Sequence, residues 1–215
     1  VKGHRSGPNP AIWGGNLSVL LPAKPKSNNH HPALQLKDAQ RWWHELKRRD
    51  GIGAKALMLV TLTGSRSNEV RGTDWSEFEL YLEDKAKGSG FYGEWTRPFD
   101  RMKARVEHRI PITGPILEAL RASKTSSGLV FRSRSGSPIS DMTMSALMKR
   151  MHAADEIGFV DKVSKRPAVP HGLRSTYRDW VAEHGHSREA AELQLAHKFG
   201  GATEHAYYRT DLLEQ

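Results

Sequence analysis

The sequence predicts a mainly α protein of the α+β class, a helical bundle with one small three-stranded antiparallel sheet. Three observations lead there. Apolar residues recur at helical spacing from Leu36 to Arg49, with Trp42, Trp43 and Leu46 among them. Between Trp75 and Thr113 the period shortens: FELYLE, GEWTRPF and VEHRIPIT are alternating or β-branched and are separated by glycine-rich and basic stretches. From Gly114 onward the helical pattern returns.

Taken in order, residues 1–33 stand apart. They are rich in Gly, Pro, Asn and Ser around one short apolar cluster at Leu17, Val19, Leu20 and Leu21, the pattern of a linker or the tail of a preceding domain. Gly51 is placed to end the first helix, and AKALMLVTLTG follows with Gly64 as its stop. SRSNEVRG opens a short helix that Ser67 and Asn68 are available to cap, with Glu69 in its first turn. EDKAKGSG reads as a solvated loop between the first two strands. Beyond the sheet come a helix at GPILEALRAS, a brief apolar GLVF and a turn at SRSGSP. Ser140 then caps a helix whose Met144, Leu147, Met148 and Met151 fall on one face, a packing stripe. HGLRSTYRDWVAEHG is amphipathic with Leu173, Tyr177, Trp180 and Val181 inward. Ser187 starts SREAAELQLAH, and Gly200 and Gly201 separate it from a last helix, ATEHAYYRTDLLEQ.

Composition narrows the function. The 215 residues hold 33 Lys plus Arg against 24 Asp plus Glu, a net charge of +9 that favours a polyanionic partner such as nucleic acid. Cys is absent, which removes disulfides, thiolate metal sites and cysteine nucleophiles and fits a reducing cytosol. No apolar run approaches the roughly 18 residues needed to cross a bilayer, and no secretory signal pattern is visible.

Four pieces carry chemistry. His171 and Arg174 share a face at a helix start, in a stretch that also holds Lys165 and Arg166 and no acid from 164 to 178, so a phosphate fits there. Arg66 and Glu69 are also three apart; a carboxylate one turn away can orient a guanidinium, although Arg71 competes for the role. Lys103 sits on the predicted turn between the second and third strands with Arg101, Arg105 and Arg109 nearby. Finally, LAH ends at His197 and Tyr207 follows ten residues later, with Tyr208 beside it. A phenol near its ordinary pKa of about 10 becomes a nucleophile only beside bases and cations. His184 and His186 have no third ligand at metal-site spacing and read as surface residues.

In this order the pieces resemble the tyrosine recombinase family, most closely phage integrases of the P4-like type, over residues 34–215. The resemblance rests on TGSRSNEV, RMKARVEHRIPI, HGLRSTYRDW, LAH and AYYRTDLLEQ, and extends to NPAIWGGNLSVLLP near the start. It implies the tyrosine-recombinase catalytic domain fold for 34–215, with 1–33 leading from a core-binding domain outside this sequence. It assigns Arg66 and Arg174 as phosphate clamps, Lys103 as proton donor to the leaving oxygen, His171 as proton-transfer partner and His197 as a phosphate contact. Glu69 becomes the buried supporting acid and Tyr207 the nucleophile, with Tyr208 as the fallback. Arg101, Arg105, Lys165 and Arg166 become DNA-backbone contacts. Ser65 stands where the family usually has an apolar residue.

The implied function is site-specific recombination by a prophage or genomic-island integrase through a 3′-phosphotyrosyl link, with no metal, no cofactor and no ATP. Implied partners are double-stranded attachment sites and three further copies in a tetramer on DNA; host DNA-bending proteins and an excision factor are left open. The implied setting is the cytoplasm and nucleoid of a bacterial host, with no membrane. Two rivals share parts of the pattern: a type IB topoisomerase uses a similar site without strand exchange, and a non-enzymatic DNA-binding regulator explains the charge but not the ordered set.

Overall fold

A computed structural model describes residues 7, 9–21, 30–81, 90–123 and 125–197. By contacts the chain divides into Val1–His30 and His31–Gln215. In the first unit a wide helical turn at Trp13–Leu17 runs into Ser18–Leu20, and Ile12, Trp13, Val19, Leu20 and Leu21 are all exposed.

The second unit is built around one helix. Leu36–Lys47 (α1) buries Trp42 and Leu46 on one stripe, as its amphipathic spacing requires. Ile52–Thr63 (α2) has no polar face, and it buries Ala54, Ala56, Leu57, Met58, Leu59 and Val60. A helix apolar on every side must be surrounded. Accordingly α2 is packed by α1, by Ser67–Arg71 (α3) and by three later helices: Gly114–Arg121 (α4), Met142–Ala154 (α5) and Leu173–Glu183 (α6). Arg188–Gln194 (α7) follows and packs on α6.

The sheet has strands Phe78–Leu80 (β1), Phe91–Arg97 (β2) and His108–Thr113 (β3), antiparallel in the order β1-β2-β3. Trp95, Ile110 and Ile112 are fully buried, and α4 packs against β2 and β3. This is the three-stranded arrangement expected from the change of period.

Several local expectations hold. Gly64 ends α2 in the left-handed conformation (φ 63°) that glycine adopts without strain. Ser187 caps α7 by accepting from the Ala190 N–H at 3.1 Å. Met144, Leu147, Met148 and Met151 are all buried on α5; its N-cap position is Asp141 rather than Ser140, although Ser140 Oγ accepts from the Met142 N–H at 3.2 Å.

Others change. Gly51 does not stop α1; it is the residue that enters α2. Ser67 and Asn68 do not cap α3, whose N-cap position is Arg66, and the Asn68 side chain accepts from Arg71 instead. Trp180 is 41% exposed rather than inward, because its ring stacks on His184 and His186 at the open end of α6. Pro32 and Ala33, read as linker from sequence, are built into the second unit. The Pro32 carbonyl accepts from the Val169 N–H at 3.1 Å, and the Ala33 N–H donates to Asp161 at 3.2 Å.

Candidate active site

Leaving α2 through Gly64, the chain extends at Ser65 and Arg66 before α3 begins. Ser65 is buried, with its hydroxyl 2.8 Å from that of Thr63, so its polar group is satisfied where an apolar residue is usual. Glu69 reaches back: one carboxylate oxygen accepts from the Arg66 N–H at 2.8 Å, the other from Arg66 Nη1 at 2.8 Å. The first contact is the carboxylate half of a capping box. The second fixes the guanidinium.

Glu69 is itself buried, and it also accepts from Arg97 Nη1. Burial pushes its carboxyl up, but Arg97 and Arg66 together outweigh that and hold it below the usual range. Arg97 ends β2 and is 1% exposed; burial brings its guanidinium down to about 10, so it stays charged at neutral pH. Its Nη2 donates to His108 Nδ1, and His108 Nε2 donates to the Leu193 carbonyl at 2.7 Å. Burial first, then Arg97, push His108 down to about 4, which keeps the ring neutral and its Nδ1 an acceptor.

Neither Arg97 nor His108 was expected as a site residue. The signal was present. Residues two apart on a strand share a face, so Arg97 lies on the face of Trp95, and His108 on that of Ile110 and Ile112. Charge at a position whose parity demands an apolar residue marks a buried polar network.

Lys103 is exposed in the turn between β2 and β3, as expected. An open cleft of about 620 Å³ brings it together with Arg66 and His171, and Glu69, Arg101 and Arg105 also line it. Arg101 is turned inward from there: it donates to Glu77, and its Nη2 donates to the Glu69 carbonyl at 2.6 Å. Arg105 is exposed with a left-handed backbone (φ 54°). Arg71 is occupied by the Ile139 carbonyl at 2.6 Å and by Asn68, which leaves the cleft position to Arg66. Lys165 and Arg166 are exposed on a loop and are not part of the cleft lining.

His171 lies in the turn Pro170–Gly172 that opens α6, its ring 4.3 Å from that of His31. The turn needs glycine at 172: a Cβ there would meet the Pro32 carbonyl oxygen at 1.8 Å. Although His171 reaches the surface, partial burial lowers its pKa first, and His31, Arg174, Arg66 and His197 lower it further. Four sequence-assigned residues therefore act on one another electrostatically.

Arg174, one turn on, points inward and is 4% exposed. Nη1 donates to the Gly64 carbonyl; Nη2 donates to the Leu195 carbonyl at 2.6 Å and to His197 Nε2 at 2.8 Å. Burial lowers it to about 10, with Arg66 the next cause. His197 Nδ1 faces Glu192 at 2.7 Å, and Glu192 also pairs with Arg178 at 2.8 Å. Glu192 is a third residue the sequence reading missed; its place five residues before His197, on the short α7, was the available signal.

Tyr207 and Tyr208 lie outside the described residues, as do the expected last helix and most of the loop EDKAKGSG. Among the described residues, no group of three or more His, Cys, Asp or Glu is placed to hold a metal ion.

The fold is that of tyrosine-recombinase catalytic domains. A lambda integrase dimer bound to a COC′ core site aligns with 87% of this chain and 62% of its own, at a TM-score of 0.58 and 21% identity. XerH site-specific recombinase, in a pre-cleavage complex with its difH substrate, aligns with 82% of this chain and 52% of its own, at a TM-score of 0.60 and 14% identity. Residues 33–213 match the phage integrase family, and the chain belongs to it. Prophage integrase IntA of Escherichia coli (strain K12) is 29% identical over 164 residues, covering 74% of this chain and 35% of IntA. Prophage integrase IntZ of the same strain is 29% identical over 180 residues, covering 81% of this chain and 40% of IntZ. The chain thus spans less than half the length of either curated relative.

Proposed function

We propose that this chain supplies the catalytic domain of a prophage or genomic-island integrase, a site-specific recombinase that cuts and rejoins DNA through a 3′-phosphotyrosyl intermediate. Residues 1–33 lead into it from a core-binding domain. The phenol oxygen of Tyr207 attacks a DNA phosphorus in line and the bond from phosphorus to O5′ breaks. Lys103 Nζ gives a proton to the departing O5′, and the neutral ring of His171 takes the one released by the phenol. Arg66 and Arg174 offset the charge that gathers on the non-bridging oxygens, and His197 holds the phosphate. The phosphotyrosyl bond keeps the energy of the phosphodiester, so a second 5′-hydroxyl reverses the step without ATP, and the cations do the work of metal ions.

The observation that carries this reading is the shared cleft of Arg66, Lys103 and His171. Arg174 and His197 support it by acting on that same His171. Arg105, Lys165 and Arg166 grip the DNA backbone. Lambda integrase has been solved as a tetramer on a Holliday junction, which supports four protomers on paired double-stranded attachment sites. Host DNA-bending proteins and an excision factor complete the proposed set of partners, and the setting is the bacterial cytoplasm at the nucleoid. Among the described residues no helix is long and apolar enough to cross a membrane.

The test is a nicked attachment-site duplex incubated with the full-length protein in EDTA and resolved on a denaturing gel. A covalent protein–DNA band is expected from wild type and from Tyr208→Phe, and none from Tyr207→Phe. A band that requires magnesium, or that survives Tyr207→Phe, overturns the reading.

A further inference from the structure

We infer that Arg97 and His108 are a positioning pair: together they anchor the two ends of the hairpin carrying Lys103, one to α3 beside Arg66 and the other to α7, and so set where the lysine points. The inference rests on the recombinase reading and assigns a role to two residues that reading does not use. Arg97 is the last residue of β2 and His108 the first of β3, and they stand opposite each other in the ladder. Every residue of the intervening turn, Lys103 included, therefore hangs from this pair.

The pair has partners on both sides. Toward α3, Arg97 donates to Glu69, whose other oxygen holds Arg66. Toward α7, His108 donates to the Leu193 carbonyl at 2.7 Å. Two residues further along, the Leu195 carbonyl accepts from Arg174 at 2.6 Å. Hydrogen bonds, bridged by the backbone from Leu193 to Leu195, thus link the segment of Arg66, the lysine hairpin and the end of α7, where Arg174 is also held. Among the described residues the hairpin's other inward ties are buried Met102 and the Arg101 contacts, while Phe99 and Val106 are 61% and 64% exposed.

Stability alone does not account for these side chains. Strand parity asks for apolar residues at both positions, and well-packed apolar groups commonly match or exceed a buried ion pair in stability. Here a guanidinium is buried with its Nε lacking a partner among the described residues, a further unfavourable contribution. What the polar pair adds over two aliphatic side chains is directional bonding to Glu69 and Leu193. The low pKa of His108 agrees, since a second proton would place two cations in contact.

A positioning role has a signature that general loosening lacks. Cleavage is measured on two duplexes, one natural and one with sulfur replacing the bridging O5′ at the scissile phosphate. The sulfur leaves as a thiolate and needs no proton from Lys103. Lys103→Ala is expected to be slow on the natural duplex and restored on the sulfur duplex. His108→Leu and Arg97→Met are expected to cleave the natural duplex roughly 10- to 100-fold more slowly, and the sulfur duplex within about threefold of wild type if proton donation alone is misaligned. His108→Gln keeps a donor for the Leu193 carbonyl, so it recovers part of the rate, and it carries the comparison if His108→Leu does not fold. Equal slowing on both duplexes, no slowing on either, or failure of sulfur to restore Lys103→Ala overturns the inference. Wild type inert on both duplexes overturns the recombinase reading, and this inference with it.

Discussion

Arg174 and His197 hold each other, the arginine Nη2 donating to the histidine Nε2 at 2.8 Å. Arginine has no acceptor, so the imidazole must present a lone pair at Nε2 and carry its proton at Nδ1. That proton points at Glu192, 2.7 Å away. The carboxylate therefore sets the tautomer and orientation of the ring. The proposed contact of His197 with phosphate requires Nε2 to part from Arg174 and gain a proton, a charged form that the facing carboxylate favours. Glu192→Ala is expected to lower the cleavage rate about 10-fold or more, in line with the roughly 1.5–3 kcal/mol of a hydrogen bond to a charged group. Glu192→Gln, which retains an acceptor, should lose less. Single-turnover cleavage of a nicked duplex measures both.

Glu69 is expected to matter for folding before it matters for chemistry. Its removal leaves Arg97, 1% exposed, with its charge unpaired. Loss of one partner from a buried ion pair costs about 3–5 kcal/mol, so Glu69→Gln should lower the urea midpoint by a corresponding amount. Adding Arg97→Met should return much of that loss, because the stranded charge is gone. A double-mutant cycle in urea checks the sign of the coupling.

Acid should destabilise the fold through His108. An unfolded histidine titrates near 6.5 and the folded one at about 4, so between those values the unfolded chain binds the extra proton. Stability then rises with pH across the window; it is complete above about 6.5 and is lost as pH falls toward about 4. Glu69, held below its ordinary value, adds a further loss in stronger acid. His171 shifts in the same direction as His108 and remains in any comparison with a His108 variant. The stability gap between wild type and His108→Gln should therefore narrow on going from about pH 7 to about pH 4. Urea melts over that range measure it.

Gly172→Ala should destabilise without touching a catalytic side chain. The added Cβ would meet the Pro32 carbonyl oxygen at 1.8 Å, a contact only backbone movement relieves. The expected loss is about 1–3 kcal/mol. Ser175→Ala, on the exposed side of the same helix, should change stability by less than about 0.5 kcal/mol. Thermal melts of the two variants test the contrast.

Lys165 and Arg101 are both basic and should behave oppositely. Lys165 is exposed in a left-handed conformation (φ 57°) that asparagine tolerates. Lys165→Asn should weaken DNA binding for all sequences and reduce the slope of log K against log salt by about 0.9. Arg101 is held by Glu77 and the Glu69 carbonyl. Arg101→Gln should lower stability and leave that slope nearly unchanged.

Much of this was legible in advance, for particular reasons. Arg66 with Glu69 is a local pair whose spacing at a helix start could be read from the chain; His171 and Arg174, read as sharing a face, diverge, His171 lining the cleft and Arg174 pointing inward. Lys103 followed from the change of period that marks the hairpin. Arg97, His108 and Glu192 were hidden because their partners are distant in sequence: Glu69 for Arg97, Leu193 for His108 and Arg178 for Glu192. Their bonds exist only once the sheet meets α3 and α7, and α7 packs on α6. Trp180 was misplaced because helical spacing puts it on the apolar face, while two histidines just beyond the helix end offer its ring another surface.

The ties of Pro32 and Ala33 bear on how short a working fragment can be. A polypeptide trimmed to begin at Leu34 would strand the Val169 N–H, uncover Gly172 and deprive Asp161 of one of its donors. It would also lose the ring that lies against His171. A fragment that keeps these contacts starts no later than His31, and its first residues are part of the floor on which the HGLR turn stands.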